Sequence, residues 1–228
     1  MKTVFNILLA LCAVALVYIC YGSIVGPINF ENTQKAREKE IITRLIDIRK
    51  AQVEWRQLHE GKYTADFDSL IDFVKTAKLP FVKKEGSLTD AQLEAGMTEK
   101  KAMKLTEKAK KTGNWKEVEK EGLMNFKRDT MWVSVLDTIF PEGFNPDSLK
   151  YVPFGNGQVF EMVTRSDTTK SGAPLNLFQA QTPYETYLSD LDRQLLINLK
   201  DVKTKLGKYC GLRVGDIEQP NNNAGNWE

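Results

Sequence analysis

The most prominent pattern in the chain is an uncharged apolar segment near its N-terminus. No charged residue lies between Thr3 and Phe30, and residues 4–25 form an almost unbroken apolar run. A helix of about 20 apolar residues is long enough to cross the ~30 Å hydrocarbon core of a bilayer. The pattern therefore predicts a transmembrane anchor over residues 1–27.

A cleaved signal peptide is the competing interpretation of this segment. Signal peptides have an apolar core of about 7–15 residues and small side chains before the cleavage site. Here Tyr18, Ile19 and Tyr21 occupy the corresponding positions. We therefore expect one retained span in a bacterial inner membrane, with the following domain in the periplasm. The flanking charges decide this orientation only weakly.

A second periodic pattern follows in residues 31–59 and predicts an amphipathic stalk helix. Its main stripe has spacings of four and three residues: Ile41, Leu45, Ile48, Gln52 and Trp55. Pro27 is expected to kink or stop the first helix before it. Ile42, Ile46 and Val53 lie beside the stripe and widen it, so we predict that they contact a partner protein. Packing against the chain's own domain is the alternative.

Charged residues occupy the other side of the stalk and are expected to face water. They are Arg44, Asp47, Arg49, Lys50, Glu54 and Arg56. The glycine after Glu60 ends the stalk, and a second helix is predicted over residues 67–77, closed by Pro80. The stalk and this helix make up residues 28–80.

Residues 81–128 are predicted to form a basic helical insertion. Within them, residues 83–128 hold 12 basic and 8 acidic side chains. Thr89 and Thr98 are suitable N-caps for two short helices. The basic face could contact phosphates, lipid head groups or an acidic partner, although the interleaved acids favour simple solvation.

From residue 129 onward the pattern changes to short β-branched and aromatic runs separated by turns, which is typical of an antiparallel sheet. The predicted strands cover residues 131–135, 150–154, 158–164, 175–180 and 212–217. A capping box at Thr182 begins a long helix that ends at Gly207 and is expected to lay an apolar stripe on the sheet. The fold class is α+β, with a sheet region at 129–218 and a surface tail at 219–228.

About residues 36–78 resemble the stalk and turn of type IV pilins and type II secretion pseudopilins. The likeness rests on Ala36, Arg37 and Glu38, on the apolar positions Leu45, Ile48, Ala51 and Val53, on the turn His59, Glu60, Gly61, Lys62 and Tyr63, and on Leu70 and Ile71. The resemblance implies a membrane helix that continues into an amphipathic helix before a small sheet. The apolar run lacks the leader and the glutamate of pilins, so the resemblance implies architecture and association with envelope machinery rather than fibre assembly.

The chemistry available to the chain is limited. Net charge is +2, from 32 basic and 30 acidic residues, so nucleic acid is not expected as a partner. One histidine, His59, and one cysteine outside the apolar segment, Cys210, exclude the common zinc sites. No nucleotide-binding or hydrolase motif occurs. We expect no catalytic residue, metal or cofactor.

The predicted function is therefore that of a membrane-anchored, non-enzymatic scaffold or assembly subunit of a pilus-like or secretion-like apparatus. Its expected partners are the membrane and other envelope proteins, reached through the stalk. Gly22 and Gly26 form a small-xxx-small pair that leaves homo-oligomerisation open. The alternative is a membrane-tethered hydrolase or ligand-binding receptor domain.

Overall fold

A computed structural model describes residues 2–169 and 171–228, with the backbone alone for residues 2–4, so residue 1 of the predicted anchor lies outside the described residues. The helices are α1 (Lys2–Leu58), α2 (Phe67–Thr76), α3 (Asp90–Glu94), α4 (Glu99–Thr112), α5 (Lys116–Lys120), α6 (Val135–Ile139), α7 (Tyr184–Leu188) and α8 (Arg193–Lys205). The strands are β1 (Lys78–Glu85), β2 (Lys127–Ser134), β3 (Glu161–Thr168), β4 (Pro174–Pro183) and β5 (Gly211–Gly215). This α+β architecture confirms the predicted fold class. The chain divides into two compact units, one formed by Met1–Lys75 with Ile139–Glu228 and the other by Thr76–Thr138.

The anchor and the stalk form one helix, α1, of 57 residues. Pro27 lies inside it, so the prediction of two separate helices is wrong. A proline removes a single backbone hydrogen bond, and a long helix within a membrane tolerates that loss. The first part of α1 is long and apolar enough to span a membrane, with a mean hydropathy of 2.4 over its best 18 residues and none of them buried. This helix is compatible with a transmembrane or signal anchor.

The larger unit is built on an antiparallel sheet in the order β3-β4-β5. The second part of α1 packs on β4 and β5, as its apolar periodicity requires. Ile41, Leu45, Ile48 and Ala51 are completely buried there. Helix α2 adds Leu70, Ile71, Phe73 and Val74 to the buried residues.

The predicted helix from Thr182 to Gly207 is two helices, α7 and α8. The side chain of Asp192 accepts a hydrogen bond from the backbone N–H of Leu195 and caps a new helix. Positions on either side of this break no longer share a face, so the expected continuous stripe is wrong. Within α8 only Leu196 is buried.

The predicted strand at residues 150–154 is also wrong. Residues Pro146–Lys150 form a 3-10 turn, and only one isolated bridge, between Tyr151 and Val159, follows it. Phe154 has a φ of 62°. Such a left-handed backbone ends an extended segment and is uncommon for an aromatic residue.

The smaller unit, Thr76–Thr138, is an antiparallel pair of strands, β1 and β2, with α3, α4 and α5 between them in sequence. Thr98 accepts a hydrogen bond from the backbone of Lys101, and Thr89 and Gln92 form a capping box, which confirms both predicted caps. Pro80 lies within β1, opposite Trp132, instead of closing α2. A small core holds Ala102, Ala109, Val118, Leu123 and Phe126.

The segment expected as a surface tail folds back on β5. The backbone N–H of Asn226 donates to the carbonyl of Arg213 at 2.9 Å, and Val214 forms an isolated bridge with Gly225. The last residues of the chain therefore extend the edge of the larger unit.

Candidate interaction surface

The buried face of the stalk contains one polar residue, Gln52, among apolar ones. Gln52 is completely buried, and its amide nitrogen donates to the carbonyl of Thr64 at 2.6 Å. Its amide oxygen accepts from the N–H of Thr64 at 3.3 Å. Because both polar groups are satisfied, this glutamine holds the turn after α1 against the helix at little cost of burial.

The three predicted contact residues lie in different surroundings. Ile42 and Ile46 are half-buried, whereas the side chain of Val53 is 38% exposed. Part of the surface of the two isoleucines is therefore covered by the chain itself. Val53 is the member of the set that an external partner reaches most easily.

Val53 lines an open groove of about 520 Å³ in the larger unit. The stalk contributes Arg49, Lys50 and Glu54 to the groove; the remaining lining comes from Ile139, residues 221–224 and Glu228. Neither Ile42 nor Ile46 is among the lining residues. The structure thus separates the predicted contact set into one groove residue and two residues that pack partly within the domain.

The groove has fixed charges on both sides. Arg49 donates to Glu228 at 2.7 Å and to the carbonyl of Asn223 at 3.2 Å. This guanidinium lowers the pKa of Glu228, while burial raises the pKa of Glu54. The ion pair therefore joins the C-terminal residue of the chain to the stalk.

Residues 221–223 form the opposite wall of the groove. Asn222 and Asn223 have φ values of 54° and 59°, a left-handed conformation that asparagine tolerates better than most residues. The side-chain nitrogen of Asn223 donates to the hydroxyl of Tyr63 at 3.0 Å. The wall is thus tied to the turn after the stalk. The three asparagines were visible in the sequence, but nothing there linked them to residues 49–54.

The charged side of the stalk does not simply face water, and that prediction is wrong for Arg44 and Arg49. Arg37, which precedes the predicted charged set, donates two hydrogen bonds to the carboxylate of Asp190, at 2.6 and 2.7 Å. Arg44 donates to the hydroxyl of Ser148, and burial lowers the pKa of Arg44. With Arg49, these side chains tie the stalk to the domain at successive levels. Their distant partners gave no local signal in the sequence.

Arg37 and the groups that it contacts are called the clamp. The clamp lies at the end of the domain closest to the apolar part of α1. Arg37 also donates to the carbonyl of Tyr187 at 2.5 Å, and its guanidinium lies 5.4 Å from the ring centre of Phe154. The adjacent Glu38 accepts a hydrogen bond from the Tyr187 hydroxyl at 3.3 Å. Hydrogen bonds from Arg37 lower the pKa of Asp190.

His59 and Asp66 have local structural roles. The His59 ring stacks on Trp55 with 3.8 Å between ring centres, and its Nδ1 lies 2.8 Å from the carbonyl of Trp55. Asp66 accepts hydrogen bonds from the backbone and hydroxyl of Ser69 at the start of α2. No group of three or more His, Cys, Asp or Glu side chains that could hold a metal ion occurs among the described residues.

Comparisons with protein-family models, with curated proteins and with solved structures gave no match to this chain.

Proposed function

We propose that this protein is a membrane-anchored, non-enzymatic scaffold or assembly subunit of a bacterial envelope apparatus of the pilus or secretion type. In this role α1 holds the chain in the inner membrane, the folded domain lies in the periplasm, and the stalk contacts other envelope proteins. The observation that carries the proposal is the continuity of α1 from an exposed apolar segment into the core of the domain.

A continuous helix attaches the domain to the membrane and also fixes the distance between the two. At 1.5 Å per residue, α1 is roughly 85 Å long, and no loop separates its two parts. Arg37, Arg44 and Arg49 hold the domain on the stalk through side chains that are distant in sequence. A domain attached in this way keeps a fixed height above the membrane, which suits a subunit that must meet its neighbours in one register.

The long helix and the antiparallel sheet are also the arrangement that the resemblance to pilins and pseudopilins leads us to expect. This agreement supports a role in an envelope assembly. A subunit of such an assembly needs an accessible contact surface beside its stalk, and Val53 in its open groove provides one.

The groove also favours one alternative, a membrane-tethered receptor domain that binds a small polar ligand. Asn221, Asn222 and Asn223 line this groove together with the charged residues Arg49 and Glu54. Polar groups of this kind fix the orientation of ligands in binding sites. Occupation by a diffusible ligand would raise the melting temperature of the purified chain, and above the Kd this increase would grow with the logarithm of ligand concentration.

The test combines fractionation with site-specific crosslinking in cells. We expect the intact chain, with its N-terminus retained, in the inner-membrane fraction. A photo-crosslinking residue at Val53 should then form a discrete adduct with another envelope protein. The matched control is Leu58, an apolar residue on the same helix that is 45% exposed but does not line the groove.

Two outcomes would contradict the proposal. A mature chain that begins after Gly22 and is soluble would exclude anchoring by α1. Equal adducts from positions 53 and 58, or none from either, would exclude the groove side of the stalk as a specific contact surface.

A further inference from the structure

Helix α8 leaves large apolar side chains in water at the edge of the domain. Its main neighbour is the short helix α7, and Leu196 is its one buried residue. Val202 is 56% exposed and Leu206, directly after the helix, is 63% exposed. Contiguous exposed apolar side chains commonly mark a contact surface.

Val202 and Leu206 share one face of the helix with the half-buried Leu195, whereas the exposed Ile197 lies on another side. Leu195, Val202 and Leu206 are separated by seven and four residues, which places them along one stripe. At 3.6 residues per turn, Lys203 and Lys205 lie about 80° to either side of the centre line of this stripe. An apolar stripe flanked by lysines on both sides is typical of a helix that lies in a membrane interface.

The opposite side of α8 faces the sheet. Lys200 forms an ion pair with Glu185 of α7, and the hydroxyl of Thr204 lies 3.3 Å from the Cys210 sulfur. Cys210 directly precedes β5. The apolar stripe therefore points away from the end of the sheet at which β5 begins.

That end of the sheet is the one nearer the apolar part of α1. The side chain of Asn176, early in β4, donates to the carbonyl of Gly61, whereas Tyr187, after β4, contacts Glu38. Strand β4 thus runs from the far end of α1 toward the predicted span. The antiparallel β5 begins where β4 ends. Helices α7 and α8 therefore lie at the end of the domain nearer the predicted span, which is called the lower end.

The lower end reaches the expected level of the lipid head groups. Phe30 is half-buried, and so are Thr33, Gln34 and Arg37, at helical spacings that lead to the completely buried Ile41. The face of α1 that the domain covers therefore extends down to Phe30. Phe30 lies about 7–8 Å along the helix beyond Val25, and a head-group layer is roughly 5–8 Å thick on each side of the hydrocarbon core.

The charge of this region suits an anionic surface. Residues 192–208 contain five basic and two acidic side chains. Arg193, Lys203 and Lys208 form no ion pair within the part of the chain that the structure describes. Each basic residue near an anionic leaflet strengthens membrane attraction roughly fivefold.

We propose that α8 lies on the surface of the same membrane that holds α1, with Val202 and Leu206 at head-group level and the flanking lysines on anionic lipid head groups. The inference rests on the proposed anchoring by α1 and adds a second, lipid-dependent contact. The domain would then be held to the membrane at two points, which fixes its rotation about α1.

The test uses hydrogen exchange of the full chain in lipid nanodiscs. Discs of phosphatidylcholine alone are compared with discs that also contain phosphatidylglycerol. We expect amides of α8 to exchange at least about fivefold more slowly in the anionic discs at low salt, and this protection to decrease at high salt. Amides of β4 serve as the folding control and should exchange equally in both.

Charge reversal identifies the residues responsible. The double variant Lys203→Glu with Lys208→Glu should lose the lipid-dependent protection. The matched control, Lys100→Glu with Lys104→Glu, changes two exposed lysines of α4 and should retain it.

Equal exchange of α8 in both kinds of disc, with the chain still inserted, would overturn the inference and leave the anchor intact. Equal loss of protection in the α4 variant would overturn the assignment of Lys203 and Lys208 to the lipid contact. Failure of the chain to insert into either disc would contradict the proposed function as well.

Discussion

The two parts of α1 place apolar side chains in opposite surroundings. In the first part, Leu11, Val14 and Leu16 are 62–68% exposed, whereas in the second part Leu45 and Ile48 are completely buried against the sheet. The backbone is the same continuous helix in both. The difference shows that the distribution of apolar residues around a helix, more than their number, determines which medium each part requires.

A helix that is apolar on all sides needs an apolar environment on every side, such as a bilayer or a protein core, whereas one that is apolar on a single side needs one protein surface. The second part satisfies its apolar side with β4 and β5 and uses its charged side for contacts such as Arg37 with Asp190. Stability of the folded domain should therefore depend on the second part and be insensitive to the first.

The largest expected effect separates the two parts directly. Leu45→Ala removes a completely buried side chain and should lower the free energy of unfolding of the domain by about 2–5 kcal/mol. Leu11→Ala, at a position 63% exposed within the span, should change it by less than about 0.5 kcal/mol. Chemical denaturation of the full chain in detergent micelles, followed by near-ultraviolet circular dichroism, measures both. Similar losses from the two variants would mean that the span takes part in the core.

A somewhat smaller effect is expected from the buried amide of Gln52. Gln52→Ala leaves the N–H and carbonyl of Thr64 without their partner and should cost about 1–3 kcal/mol. Gln57→Ala is the control, because Gln57 is exposed and its side-chain amide donates a hydrogen bond to the carboxylate of Glu54 at the surface. Faster hydrogen exchange at the amide of Thr64 should accompany the loss. Unchanged exchange there would show that the turn is held by other contacts.

The parts of the fold that depend on local pattern could be predicted from the sequence. The long apolar N-terminal helix, the buried stripe from Ile41 to Gln52 and the caps at Thr89 and Thr98 follow from spacing and side-chain chemistry, and the α+β class follows from the order of the elements. The continuity of α1 through Pro27 could not be predicted, because the pattern does not show whether the surroundings tolerate one missing hydrogen bond. The break between α7 and α8 was hidden because apolar residues keep helical spacing across it.

The groove and the clamp could not be predicted because their partners are far apart in the chain. Arg49 and Glu228 are separated by 179 positions and Arg37 and Asp190 by 153. Each arginine by itself has the sequence signature of a solvated helix face. For the same reason the sequence does not distinguish Ile42 and Ile46 from Val53, although the domain covers the two isoleucines more than the valine.

Single substitutions of Ile46 and Val53 distinguish a residue that packs in the core from one that is available to a partner protein. Ile46→Gln should lower the free energy of unfolding by about 1 kcal/mol, because roughly half of the benefit of burying an isoleucine is lost. Val53→Gln should leave the melting temperature nearly unchanged and weaken co-purification with envelope partners. Thermal denaturation and co-purification are measured on the same preparations. A clear loss of stability from Val53→Gln would place the valine in the core instead.

The smallest expected effect concerns the clamp at the level where the two parts of α1 meet. Arg37 lowers the pKa of Asp190 in the folded chain, so the unfolded state binds a proton more readily there. The pair therefore contributes stability above the ordinary aspartate pKa of about 3.9, and this contribution is lost as pH falls through the lower folded value. Because the Asp190 side chain is 60% exposed, we expect at most about 1 kcal/mol. Asp190→Asn should remove this part of the acid sensitivity below pH ~4, whereas Asp201→Asn, in the exposed pair with Lys205, should not. Denaturation midpoints between pH 3 and 6 measure the difference, and identical acid profiles for Asp190→Asn and the unmodified chain would show that the clamp does not hold the domain.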